Sequence, residues 1–167
     1  MVKWMLSAGV LIVAIGGLFW IRREASLLDE ELVYAHYQDE VNALRRLDAK
    51  ILCRAMAEDY RLVDTSSGIG GGGRVELDRE TACRETESAM QALYKIAKPT
   101  RTAPDVKYTI ESVTLSPDHR QATVKLRSTL KIGRWVTVES TGTERLIRSM
   151  GEVRSLGGES RTTTKAR

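Results

Sequence analysis

The segment QATVKLRSTLKI, Gln121 to Ile132, has the cleanest alternation in this chain. Ala122, Val124, Leu126, Leu130 and Ile132 share one parity, while Thr123, Lys125, Arg127 and Lys131 share the other. A period of two with one apolar and one charged face dictates a strand that is wet on one side, the habit of antiparallel sheets. Its neighbours read the same way. VKYTIESVTL leads into SPDH, a turn with proline second and aspartate third. The apolar parity of that strand shifts between Ile110 and Val113, the mark of a bulge. Gly133 then precedes WVTVESTGTERLIR, and SMGE turns the chain into VRSLGGESRTTT. Four long strands joined by short turns predict an antiparallel meander over the last third.

The first half is helical. From Ala25 to Tyr60, Tyr34, Tyr37, Val41, Leu44, Leu47, Ile51, Leu52 and Ala55 recur at steps of three and four. No glycine or proline interrupts Ile21 to Tyr60, so one long helix is expected, with a bend near Asp29. A second helix opens at Asp78, a good N-cap, and ends at Pro99. Between the helices, Arg61–Thr65 and Arg74–Leu77 are short strand-like runs around SSGIGGGGR. That stretch contains G-x-G-x-x-G at Gly68, Gly70 and Gly73. A dinucleotide fingerprint needs a helix opening directly from its glycines and an acid about 20 residues on, at the end of a second strand. Here a strand-like run intervenes, and the chain near Leu93 is still helical. The glycines read as a mobile hairpin tip, and no nucleotide or other cofactor is expected.

Composition is that of a globular domain, 42% hydrophobic and 29% charged. The 26 basic residues are interspersed with 22 acidic ones, which gives nucleic-acid binding no support. The apolar residues are unevenly spread. Trp4 to Ile21 is a run of 18 residues without a charge. As a helix it would be roughly 27 Å long, about the thickness of a bilayer's hydrocarbon core. Trp4 and Trp20 would sit at the two interfaces, with Arg22 and Arg23 as the stop. A cleaved secretory signal is the alternative, against which bulky Phe19-Trp20-Ile21 stands where small residues should precede a cut. With three residues before the span, the simplest topology exports the chain beyond Arg23. The expected organisation is an anchor over 1–23, a membrane-proximal helical linker over 24–33 and a folded unit over 34–165, in a bacterial-type inner membrane facing the periplasm.

The order long helix, hairpin, helix and four antiparallel strands resembles the nuclear transport factor 2-like superfamily, an α+β roll with a curved sheet. The echoes are AEDYRLVDTSSG followed by LDRETAC, and KYTIESVTLSPDHRQATVKLRST with TGTERLIRSMGEVRSLGGES in the closing meander, over roughly residues 30 to 165. The superfamily includes ketosteroid isomerase-like enzymes, dehydratases, cyclases, ligand binders and assembly domains. Behind a single span, the arrangement resembles scaffold subunits of type IV secretion systems, although their longer cytoplasmic tail is missing. It also resembles proteins that accompany lipid-transport complexes. The resemblance implies a homodimer through the exposed sheet face, and a pocket that holds one acid or base among aromatics.

Residues for such a pocket are few. Glu144 shares the parity of Val136, Val138 and Leu146 and could point inward with a raised pKa; alternatively the strand has left the core there and Glu144 is solvated. Tyr37, Tyr60, Tyr94 and Tyr108 could offer hydroxyls to a ligand, or be half-buried core with wet tips. His36 reads as a surface or membrane-proximal residue and His119 as part of an exposed turn, so no metal site is expected. Cys53 and Cys83 fall on the two helices that pack together in the family's fold; they form either a disulfide or two separate thiols. Lacking an acid–base constellation, the sequence favours a non-catalytic roll that binds membrane or envelope proteins as an accessory domain. An isomerase- or dehydratase-like pocket is the alternative.

Overall fold

The computed structural model describes residues 26–68, 72–100, 103–133 and 136–166, the side chains of 96–100 and 166 excepted. Asp29 starts its first helix. Its extended backbone (φ −130°, ψ 173°) lets the side chain accept from the Leu32 amide at 2.8 Å, capping α1 (Glu30–Arg46). Glu30 and Glu31 in the first turn and Arg45 and Arg46 in the last complement the helix dipole.

The single helix expected from Ala25 to Tyr60 is replaced by two helices and the start of a strand. Leu47 turns left-handed (φ 54°, ψ 38°), and its amide reaches back to the Ala43 and Leu44 carbonyls. Asp48 then caps a new helix, α2 (Ala49–Arg54), by accepting from the Ile51 amide at 3.3 Å. Packing against a small cluster of Ala43, Leu52 and Met90 offsets the strain at Leu47. From Met56 the chain is extended, because its partner is another strand. The Ser155 amide donates to the Ala55 carbonyl at 2.7 Å, and Arg61–Gly68 run parallel to Gly157–Thr164. Tertiary pairing overrides the helical preference of this segment.

β1 (Met56–Gly68) and β2 (Gly73–Asp78) form the expected hairpin, paired as far as Ser66 and Gly73; its tip, 69–71, lies outside the described residues. Asp78 accepts from the Thr81 amide at 2.9 Å and caps α3 (Arg79–Thr100), which runs one residue past Pro99. β3 (Asp105–Leu115), β4 (Gln121–Ile132), β5 (Val136–Ser149) and β6 (Glu152–Ala166) make the antiparallel meander. The register shift between Ile110 and Ser112 is the bulge expected from the sequence. Met150 (φ 53°) and Gly151 (φ 84°) make the β5–β6 turn.

Among the described residues the sheet has six strands, not four, in the order β2-β1-β6-β5-β4-β3. The hairpin is part of it, joined along the parallel β1–β6 pair, and the whole forms a curved, open sheet. Two glycines of β6 permit close approach on its two sides, Gly157 towards β1 and Gly158 towards β5. Gly157 has φ 78°, and a Cβ there would overlap the Arg61 carbonyl oxygen; a Cβ at Gly158 would overlap that of Thr143.

α1 lies across the sheet, where Leu28, Val33 and Tyr37 pack against Ala122, Val124 and Leu146. The Cys53–Cys83 disulfide ties α2 to α3, with Cα atoms 5.2 Å apart, which decides between the two readings of the cysteines. No helix among the described residues is long and apolar enough to cross a membrane. The expected anchor, with Trp4, Trp20, Arg22 and Arg23, lies outside the described residues.

Candidate functional site

Curvature of the sheet leaves a cleft of about 430 Å³, walled by Glu40 of α1, Tyr60 and Asp64 of β1, Tyr108 of β3 and Glu144 of β5. Glu144 keeps the parity of buried Leu146 and turns inward, so the solvated alternative does not hold. Tyr37 Oη donates to its Oε2 at 2.7 Å. Ser155, itself buried, donates to Oε1, and the Gly157 amide donates to Ser155 Oγ at 3.0 Å. The glycine that lets β1 approach β6 thus also orients the serine that holds the acid.

His36 is the main departure from the sequence reading. It is 7% exposed, because α1 turns it to the side that bears Val33 and Tyr37. Its Nε2 lies 3.5 Å from Glu40 Oε1, one helical turn on, and has no hydrogen-bond partner among the described residues. Its ring meets that of Tyr37 edge-on at 5.5 Å, and Tyr37 in turn lies 5.4 Å from Tyr108. His36, Glu40 and Glu144 present ligand atoms within 4.8 Å of one another, a set that could grip a divalent ion.

Electrostatics follow from burial and from two acids sharing one place. Burial pushes the Glu144 carboxyl above its ordinary 4.5, and the charge of Glu40 adds to this; donors Ser155 and Tyr37 and the nearby His36 pull the other way without reversing it. For His36 burial is the largest single influence and lowers its pKa, yet Glu40, Glu144 and Asp39 together raise it above 6.5. Burial and the neighbouring carboxylates push Tyr37, Tyr60 and Tyr108 well up, so their hydroxyls stay protonated donors.

The structure therefore brings together Tyr37, Tyr60, Tyr108 and Glu144. Tyr94 stands apart, 55% exposed on α3, bordering a shallow groove with Arg46, Lys50 and Met90. His119 is exposed in its turn. Sequence reasoning missed Glu40 as a cleft group and His36 as its buried neighbour, although their i,i+4 spacing on an amphipathic helix was a readable signal. It also missed Asp64, which accepts from Ser160 and, at 2.9 Å, from Thr162 along another wall. Those contacts depend on the β1–β6 register, which no local pattern announces.

No protein-family model matches the chain, and no curated protein matches it. Solved structures do. A conserved protein from Planctomyces limnophilus superimposes with TM-score 0.58 at 17% identity, covering 83% of this chain and 98% of that one. A protein from Shewanella oneidensis, described as NTF-2-like and of unknown function, gives 0.53 at 13%, covering 81% and 99%. The fold is that of the nuclear transport factor 2-like proteins. A Novosphingobium aromaticivorans protein provisionally assigned as a scytalone dehydratase gives 0.58 at 12%, covering 83% and 87%. At these identities the likeness concerns the nuclear transport factor 2-like fold alone, and chemistry has to be argued from the cleft.

Chemically, the cleft offers a half-buried carboxyl whose proton is held more tightly than usual, with phenol donors around it. A carboxyl so placed can take a proton from carbon next to a carbonyl, while a phenol stabilises the oxygen on which charge develops.

Proposed function

We propose that the roll takes a small molecule into the cleft and moves a proton on it, in the manner of an isomerase or dehydratase. Glu144 is the group that accepts and returns the proton, and the hydroxyls of Tyr60 and Tyr108 are the donors to a developing oxyanion. The observation that carries this reading is the placement of Glu144, inside the cleft and fixed from behind by Tyr37 and Ser155. The structural neighbour provisionally assigned as a scytalone dehydratase is consistent with it. The apolar run from Trp4 to Ile21 supports single-pass attachment of this roll to a lipid bilayer, and the disulfide supports a place on the oxidising, exported side.

An accessory role with membrane or envelope proteins is the second reading. It drew support from the want of an acid–base constellation, which the cluster around Glu144 now supplies. What still favours it is β2, an edge strand exposed from Gly73 to Glu76, where a partner strand or a second copy could add.

The test presents full-length protein in non-ionic detergent with a panel of small ketones and β-hydroxy ketones in deuterated water. NMR is expected to show exchange of the hydrogens beside the carbonyl, or loss of water, on at least one member. Glu144→Gln should slow that reaction by roughly 100-fold or more. No turnover on any member, together with a reproducible cross-link to another membrane protein, would favour the accessory reading.

A further inference from the structure

The chain carries more basic than acidic residues, 26 against 22, yet none of the described residues lining the cleft is lysine, arginine or histidine. The charged side chains that face it among the described residues are acidic: Glu40, Asp64 and Glu144. At one end Glu40 and Glu144 crowd together with the buried Nε2 of His36, a nitrogen without a hydrogen-bond partner among the described residues. Even a protonated His36 would balance only one of these two carboxylates. The rings of Tyr60 and Tyr108 border the same space, and an aromatic face attracts positive charge.

We propose that the cleft receives an organic cation, a small ligand whose ammonium group sits against Glu40 and Glu144 beside the rings of Tyr60 and Tyr108. An anionic ligand, such as a phosphate ester or an acyl carboxylate, meets repulsion and, among the described residues lining the cleft, no basic residue to pair with. The volume, about 430 Å³, suits a small organic molecule and far exceeds the space one metal ion fills. Asp64, already oriented by Ser160 and Thr162, is the polar anchor for the remainder of the ligand. The inference rests on the cleft being a ligand site and adds the charge of what enters it.

Calorimetric titration of the full-length protein in non-ionic detergent tests it with three probes of one shape. These are choline, its neutral carbon isostere dimethylbutanol, and the corresponding carboxylate, dimethylbutanoate. Choline is expected to bind at least about tenfold tighter than the alcohol, with no binding of the carboxylate. Glu144→Gln should bring choline and the alcohol to within about twofold of each other, and Glu40→Gln serves the same purpose if the first variant does not fold. Equal binding of the alcohol would overturn the proposal while leaving a neutral small-molecule site intact. Binding of none of the three would also overturn it, as would zinc ions that bind tightly and exclude choline. Loss of proton exchange on neutral ketones with choline binding unchanged would strike the catalytic reading alone.

Discussion

Replacing Cys53 and Cys83 together by alanine removes the covalent tie between α2 and α3. The bond joins residues 30 apart in sequence, and in the chain-entropy account a closed loop of that size is worth about 3.6 kcal/mol. The structure gives little to offset its loss. α2 has six residues, too few to persist as an isolated helix, and its noncovalent hold comes from the small cluster of Ala43, Leu52 and Met90. Urea unfolding of the full-length double variant, followed by circular dichroism, is expected to show a loss of about 3–4 kcal/mol, and melting roughly 10 °C lower. Stability within about 1 kcal/mol of the parent, at an unchanged denaturant slope, would refute the reasoning. The loop would then be constrained without the bond, or the bond would not form.

Other perturbations bear on the cleft. Gly157→Ala puts a side chain at φ 78° and into the Arg61 carbonyl; it should cost at least about 2 kcal/mol in the same unfolding assay, whereas Gly73→Ala, which meets nothing within 4 Å, should stay within about 0.5 kcal/mol. Tyr37→Phe deletes the 2.7 Å donor to Glu144 and should cost about 1–2 kcal/mol while pushing the Glu144 carboxyl further up, read by titrating the variant. Stability should also depend on pH through this cluster. Glu144 is raised in the folded state, so its contribution is complete below about 4.5 and fades as pH climbs through the folded value; His36, raised above 6.5, fades in the same direction at higher pH. Unfolding free energies measured at a series of pH values should therefore fall more steeply above 4.5 for the parent than for Glu144→Gln, and parallel profiles would contradict this.

Local chemistry was legible in the sequence. Alternation from Gln121 to Ile132, the parity slip after Ile110, the Asp78 cap and the hairpin around the glycines each need only neighbouring residues, and each stands in the structure. What needed distant partners was not. Nothing near Met56 announces that its backbone will pair with Ser155, so the start of β1, Met56 to Tyr60, was read as helix and the hairpin's two strands were left off the sheet. Leu47 is a poor advertisement for a helix end, because its left-handed turn is tolerated only once it packs near Ala43 and Met90. Within the site, Glu144 was visible by parity, and three of the four tyrosines gather near it. Tyr94 resembled them in sequence, but the phase of α3 buries Ala82 and Met90 and leaves it outside. His36 was misplaced because the first helix was phased on Tyr34, which is half exposed, rather than on Val33.

An acid held in a cleft is the central claim, and a carboxyl-carbon NMR titration of the full-length, glutamate-labelled protein tests it directly. The Glu144 resonance is assigned by its absence in Glu144→Gln. An apparent pKa clearly above the ordinary 4.5 is predicted, since burial and Glu40 outweigh the donors Ser155 and Tyr37. A value at or below 4.5 would mean that the carboxylate is solvated or fully compensated, and both the proton-transfer reading and the crowding of acids at the inner end of the cleft would be contradicted.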